Sequence, residues 1–416
     1  MRILYLSQYF PPEVGATQTR AYEMARGLVR AGHQVTMIVE VPNHPSGVIP
    51  PAYRGKLFER SVLDGFEVIR IWVLASPVKT FRSRMAFYLS YMVMAIFAGL
   101  FLARKKHEVI YATSPPLFTG AAGLALSFLR RIPFVFEVRD LWPESAVALG
   151  ELQNPRAVAW ASRLEEACYR RAKRIVVATD GIRRRLVERG IPERKLAFIP
   201  NGASLQIFQS RPDEAKQQRA ALGLNGKFVV IYAGILGVAQ GLESLFEAAR
   251  ILVPYGDIHF LLIGEGPKKA DIVALKEKLN LRNLTLLGER PQAEMPAYLS
   301  AADAAVVPLR RLELFKSALP SKMFEAWACA CPVILCVNGE AQRVLEEAGG
   351  GIHVEPEDPG ALASAILRLK NEPASKLEMG QKARRFVMEH YSREKAAREL
   401  ERLLIDAVLK ENPANA

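Results

Sequence analysis

Short apolar runs rich in β-branched residues alternate along the chain with stretches whose apolar positions recur every three or four residues. Arg2–Ser7, Gln34–Val39, Phe66–Trp72, Glu108–Ala112, Phe134–Val138, Arg174–Ala178 and Leu196–Ile199 predict a first series of strands, with an amphipathic helix over Thr17–Arg30. Phe228–Ala233, Ile258–Ile263, Leu284–Leu287, Ala304–Val307 and Pro332–Cys336 predict a second. Strands this apolar, separated by helices, belong in parallel sheets covered on both faces. Two such series predict two doubly wound α/β domains. A turn at Pro200-Asn201-Gly202 closes the first series, which gives an N-terminal domain over 1–203 and a C-terminal domain over 204–390. In Ser392–Leu409, Ala396, Leu400, Leu403, Leu404 and Ala407 share one helix face, with Ser392 as N-cap. Residues 391–416 therefore predict a terminal helix packing back on the N-terminal domain, with a frayed tail at Asn412–Ala416.

Composition supports a globular chain: 416 residues, half of them apolar and 24% charged. The four cysteines (Cys168, Cys329, Cys331, Cys336) form no CxxC pair, which argues against a zinc ribbon, a redox site or a disulfide framework. A reducing cytoplasm fits. The apolar run at Met1–Ser7 is too short for a signal peptide.

Charge is unevenly placed. Residues 1–205 hold 29 Lys and Arg against 16 Asp and Glu, whereas the remainder holds 27 of each, so the first half carries the whole net charge of +13. Such a half faces nucleic acid or acidic lipid headgroups, or is a solvated surface with no partner. The 19 uncharged residues Met85–Ala103 reach the length of a membrane span, with Arg82 and Arg84 before them and Arg104-Lys105-Lys106 after. Strands of one sheet on both sides argue against crossing. The preferred reading is a helix partly buried in the fold and partly dipping into the membrane surface, with a core helix and a true span as alternatives.

Ligands of open α/β sheets sit beyond the carboxyl ends of strands. Loops there carry Gly15 after the first strand, Gly234 and Gly237 in the second half, and Gly264-Glu265-Gly266 after Ile258–Ile263. Together they favour a nucleotide, since exposed N–H groups at helix N-termini attract phosphate. None is a Walker A or strict GxGxxG sequence, and neither an Asp-x-Asp nor a cluster with metal-ligand spacing occurs, so no metal site is expected. In Leu314–Leu335, Pro320 suits the first turn of a helix. Ser321 and Glu325 then share a face, Glu325 can accept hydrogen bonds from a ribose diol, and Lys322 can meet phosphate.

The series Pro11-Pro12-Glu13…Gly15, Arg139-Asp140-Leu141-Trp142-Pro143-Glu144, Pro200-Asn201-Gly202, Gly234…Gly237…Gly241, Gly264-Glu265-Gly266 and Pro320-Ser321-Lys322…Glu325…Pro332-Val333-Ile334 resembles glycosyltransferase family 4 over essentially the whole chain. The resemblance is nearest to bacterial enzymes of surface-polysaccharide assembly (colanic acid, O-antigen, capsule and fucosamine types). It implies the GT-B architecture, two facing Rossmann-like domains with an interdomain cleft. It makes Glu325 the second acidic residue of an E-x7-E motif that holds the donor ribose, with Ser317 at the first acidic position. A Lys common in the family is Gln240 here, leaving diphosphate neutralisation to Lys322, helped by Lys316, Arg310 or Arg311. Arg290 falls where the backbone meets the base, and Arg139 replaces a His common before Asp140.

The function so implied is metal-independent, retaining transfer from a UDP-sugar, with no other cofactor, to a polyprenyl-diphosphate-linked saccharide. The expected location is peripheral, on the cytoplasmic face of the membrane. Asp140 is the candidate for orienting or deprotonating the acceptor hydroxyl, against a role capping the following turn. Arg139 pairs with acceptor phosphate or with Asp140, and Glu144 and His44 are acceptor-side candidates. The alternatives are a sugar-nucleotide epimerase or hydrolase and a basic nucleic-acid-binding protein. No nucleic-acid motif supports the latter, so no nucleic-acid partner is expected.

Overall fold

The computed structural model describes all residues except 14, 45, 79, 149, 151 and 410–416, so the expected frayed tail lies outside the described residues. The chain forms two compact units, Met1–Pro200 with the segment from Glu394, and Asn201–Arg393.

In the N-terminal unit, β1 (Arg2–Leu6), β2 (Gln34–Glu40), β3 (Phe58–Leu63), β4 (Phe66–Ile71), β5 (Val109–Thr113), β6 (Phe134–Val138), β7 (Arg174–Val177) and β8 (Leu196–Phe198) form one sheet. Its order is β3-β4-β2-β1-β5-β6-β7-β8, reversing direction of growth between β1 and β5. Only β3 is antiparallel to its neighbour. The apolar-run criterion misses β3 because this edge strand alternates exposed and half-buried residues. Its hairpin to β4 turns at Asp64-Gly65, both at positive φ (45° and 87°), the backbone an Asp-Gly turn favours.

The helices are α1 (Ala16–Arg30), α2 (Phe81–Phe97), α3 (Leu117–Arg130), α4 (Glu144–Ala148), α5 (Pro155–Arg171) and α6 (Asp180–Glu188). Asn154 caps α5 through the N–H groups of Arg156 and Ala157, and Thr179 caps α6 through that of Ile182. Alternate residues of β1 serve opposite layers: Leu4 and Leu6 pack with Tyr91 and Ala95 of α2, Ile3 and Tyr5 with Met24 and Leu28 of α1. The terminal helix (Arg393–Leu409) joins the second layer through Ala396, Ala397, Leu400, Leu404 and Ala407. It lies so close to α1 that a Cβ at Gly27 would fall 2.4 Å from that of Ala397.

A five-residue π-helical segment, Ala98–Leu102, extends α2, and Phe81–Leu102 is long and apolar enough to cross a membrane. It connects β4 to β5 of the same sheet. Tyr91, Ala95, Ala98 and Gly99 are buried, and the Tyr91 hydroxyl donates to Ile38 O at 2.9 Å. The opposite face exposes Leu89, Val93, Phe97 and Phe101.

In the C-terminal unit, β9 (Phe228–Ala233), β10 (Ile258–Ile263), β11 (Leu284–Leu287), β12 (Ala304–Pro308), β13 (Val333–Cys336) and β14 (Gly351–His353) lie parallel in the order β11-β10-β9-β12-β13-β14. This is the doubly wound order, with its reversal between β9 and β12. Three half-buried residues make β14 too short to leave a pattern in the sequence. Around the sheet stand α7 (Pro212–Ala221), α8 (Glu243–Ile251), α9 (Lys269–Lys278), α10 (Met295–Ala301), α11 (Ser321–Ala328), α12 (Glu340–Ala348), α13 (Pro359–Asn371) and α14 (Pro373–His390). Ala203 pairs with Ser392 as a parallel bridge, its N–H donating to Tyr391 O and its carbonyl accepting from Arg393 N, both at 3.0 Å.

Candidate functional site

In the C-terminal unit the loops after β9 and β10 meet at the end of the sheet. Gly234 N–H donates to Ile263 O at 2.8 Å, and Leu236 N–H to Glu265 O at 2.8 Å. Gly234 and Gly264 both have φ near +150°, a conformation that disfavours a Cβ. At Gly264 a Cβ would stand 1.9 Å from Gly234 O, and at Gly234 it would stand 2.1 Å from Lys322 Cε. Glycine at 234 therefore makes room for a lysine from α11, at the point where the strand order reverses.

Lys322 lies with its ammonium 4.6 Å from the centroid of the Tyr232 ring and donates to the Tyr232 hydroxyl at 3.0 Å. That hydroxyl donates onward to Ile235 O at 2.6 Å. The partner of Lys322 is thus a hydroxyl and not a carboxylate. Other cations near the strand ends have acidic neighbours: Arg310 with Glu243 and Glu357, Arg311 with Glu355, and exposed Lys316 with Glu313 at 2.8 Å. Arg290, beyond β11, has its Nε shielded from solvent without a hydrogen-bond partner among the described residues.

Pro320 is the N-cap of α11 rather than a residue of its first turn, so Ser321 opens the helix. Ser321 and Glu325 are one turn apart, and Glu325 Oε1 accepts from Arg393 Nη2 at 3.1 Å. Arg393 is 95% buried as a residue and its Nη1 lacks a partner among the described residues. Nothing in the sequence near Glu325 announces this arginine. Ser317 donates its hydroxyl to Leu314 O at 3.0 Å. Gly237 caps the 3₁₀ turn Val238–Gln240, where Gln240 Oε1 would contact a Cβ at 237.

In the N-terminal unit Gly15 precedes α1 in extended backbone (φ 163°), and only the flexible Gln18 side chain would obstruct a Cβ there. Behind it lies a buried polar cluster. Glu13 accepts from the N–H groups of Asn43 and His44 at 2.7 Å each, while the His44 ring packs edge-on against Tyr9. Glu40 accepts from Gln8 Nε2 at 2.8 Å and Asn43 Nδ2 at 3.0 Å. Burial raises the pKa of both carboxyls. Glu13 adds to the rise at Glu40, against the hydrogen bonds that each accepts.

Asp140 follows β6 and accepts from Ser145 Oγ at 2.8 Å, which ties it to α4. Glu144 faces Arg185 at 3.3 Å and Arg189 at 3.4 Å, an ion-pair cluster between α4 and the region of α6. Glu137, on β6 itself, is wholly buried and accepts from Arg20 Nε at 2.8 Å. Burial raises the Glu137 pKa, but Arg20, Arg139 and the Thr113 hydroxyl together bring it below the ordinary value. Arg139 is lowered to about 10 by burial, with Arg20 reinforcing and Glu137 opposing.

Among the described residues no group of three His, Cys, Asp or Glu side chains could hold a metal. All four cysteines are buried free thiols. Burial pushes Cys168, Cys329 and Cys336 up to about 12, far from thiolate chemistry.

Residues 15–202 match the glycosyl transferase 4-like domain, and residues 214–386 match the glycosyl transferases group 1 family. The putative colanic acid biosynthesis glycosyl transferase WcaI of Escherichia coli (strain K12) is 24% identical over 375 residues, 88% of this chain and 91% of its own. Sucrose-phosphate synthase of Thermosynechococcus elongatus superposes with a TM-score of 0.76 at 20% identity, covering 98% of this chain and 99% of that one. HepE of Anabaena, solved in complex with UDP-glucose, gives a TM-score of 0.73 at 16% identity, covering 98% of this chain and all (100%) of its own. With one matched domain in each Rossmann-like unit and the models together spanning most of its length, the chain belongs to the family 4 glycosyltransferases and has the GT-B fold.

Proposed function

We propose that this glycosyltransferase moves a sugar from a UDP-sugar to a saccharide carried on a polyprenyl diphosphate. Transfer retains anomeric configuration, needs no metal, and serves surface-polysaccharide synthesis at the cytoplasmic face of the membrane. The observation that carries the donor side is Lys322, a lysine held by the Tyr232 hydroxyl against Gly234 where the strand order reverses. An ammonium has three donors, of which Tyr232 takes one. Negative charge grows on the diphosphate as the glycosidic bond breaks, and a preplaced cation with the N–H groups opening α11 stabilises it most at that moment. In this reading Glu325, one turn further along and paired with Arg393, accepts from ribose hydroxyls. The UDP-glucose complex of HepE supports a uridine nucleotide, and WcaI supports a polysaccharide product. On the acceptor side, Asp140 orients the attacking hydroxyl.

The test is a panel of nucleotide sugars with a lipid-linked acceptor, following UDP release and the anomeric configuration of the product. We expect transfer from a UDP-sugar, unchanged in EDTA. Lys322→Ala should cut kcat by ten-fold or more with a smaller change in donor affinity. Transfer from another nucleotide class alone, or inversion, would refute the reading.

A further inference from the structure

The guanidinium groups of Arg20 and Arg139 and the Glu137 carboxylate crowd the carboxyl end of β6, with Asp140 next in the chain. Arg139 lies close enough to Glu137 and Arg20 for each charge to act on the other. Glu137 is already matched, by Arg20 Nε at 2.8 Å and by the Thr113 hydroxyl. Arg20 is also filled, donating to Ile199 O and Pro200 O at 2.8 Å each. Arg139 has no such seat: its Nε is shielded from solvent and has no hydrogen-bond partner among the described residues. The next residue, Asp140, is held by Ser145.

Beside this cluster the Tyr5 and Tyr111 rings, fully buried and 4.6 Å apart, carry hydroxyls that also lack a partner among the described residues. Burial raises both phenols well above their ordinary pKa, so they are neutral and bring no charge. Arg20 and Glu137 satisfy each other, so Arg139, half-buried with its Nε unpartnered among the described residues, stands poorly solvated at the end of β6, beside the sheet's β1–β5 reversal. Such a reversal is where open α/β sheets bind ligands. A half-buried guanidinium with an unsatisfied N–H is costly, and an anion brought to it offsets that cost.

We propose that Arg139 is the seat of a phosphate or diphosphate ester on the ligand of the N-terminal unit, an assignment that rests on the acceptor reading above and names the group it recognises. A planar guanidinium presents paired N–H donors that match two phosphate oxygens. The same chemistry suits an isoprenyl diphosphate or a free pyrophosphate, and the two are separable.

The full chain is titrated calorimetrically with farnesyl diphosphate, inorganic pyrophosphate and farnesol, and hydrogen exchange is followed over residues 137–148. Farnesyl diphosphate should bind and slow exchange there, and farnesol should do neither. Equal binding of pyrophosphate would mark a seat for the anion alone, whereas weaker binding would mark a lipid-linked one. Arg139→Gln should weaken farnesyl diphosphate binding at least ten-fold while leaving UDP affinity unchanged, and Arg139→Lys should recover part of the loss. No slowed exchange in the wild type would overturn the assignment without recourse to a variant, as would a folded Arg139→Gln protein that binds as tightly. Farnesyl diphosphate binding through Arg139, together with transfer only to acceptors lacking a diphosphate, would sustain the seat and defeat the acceptor reading instead.

Discussion

Glu325 stands out in the sequence because a carboxylate flanked by Met323, Phe324, Ala326 and Trp327 needs a partner. Its partner was not recognisable. Arg393 lies 68 positions away and reaches it after the chain pairs Ala203 with Ser392. That pair sets two consequences of Glu325→Gln. Charge-assisted hydrogen bonds to two ribose hydroxyls contribute roughly 1.5–3 kcal/mol each at most, so UDP affinity should fall ten-fold or more. The variant also leaves the buried Arg393 guanidinium without its countercharge. Stability should fall by about 1–3 kcal/mol, the scale for an unmatched buried polar group. Calorimetry with UDP reads the first effect and urea unfolding the second. Undiminished UDP affinity would remove Glu325 from the ribose. Other site residues divide in the same way. Lys322 and Gly234 were each legible as ligand groups, but not that the glycine exists to admit the lysine. Glu144 was legible as a charge, whereas its ion pairs with Arg185 and Arg189 come from the fold.

At the scale of elements, the buried strands were legible because their apolar runs are continuous, and the edge strands β3 and β14 were not, although β8, as short as β14, was. The β1–α1 and β2 loops show what else a pattern hides. Glu13, in the β1–α1 loop, and Glu40, the last residue of β2, are both over nine-tenths buried. Their raised pKa values carry a definite pH signature. The folded state holds each proton more tightly than the unfolded chain does. Their stabilising contribution is therefore complete below the ordinary carboxyl value near 4.5 and is lost as pH rises through the higher folded value. Glu40→Gln abolishes one of these titrations. The Gln8 amide can turn its unpartnered Oε1 toward the new NH2 group, so the cluster accepts the change. Urea unfolding at intervals from pH 4 to 8 should show the variant gaining on the wild type as pH rises. A difference that stays constant with pH would mean that Glu40 is not strained by burial.

The whole molecule is asymmetric in charge, and a helix with an exposed apolar face falls in the basic half. Residues 1–205 carry all of the +13 surplus. Their α2–π helix hides one face in the core and exposes Val93 (59%), Phe97 (45%) and Phe101 (63%), with Phe128 and Leu129 exposed at the end of α3. Arg104, Lys105 and Lys106 follow the first helix, and Arg130 and Arg131 end the second. Apolar side chains rimmed by cations fit an anionic lipid surface. Each Lys or Arg near such a surface contributes about 1 kcal/mol, and inserted apolar groups add to it. Leu100 packs partly against the core, so changing it would confuse anchoring with folding. Phe97 and Phe101 are the informative pair, because their rings contact each other at 5.1 Å and stand in solvent. The wild type should pellet with vesicles rich in anionic lipid and be partly released by high salt. Phe97→Ser with Phe101→Ser should weaken binding several-fold, keep a native circular dichroism spectrum and leave the salt-sensitive part intact. If the folded double variant pellets as completely as wild type at every salt concentration, the apolar face does not insert and the basic surface alone accounts for attachment.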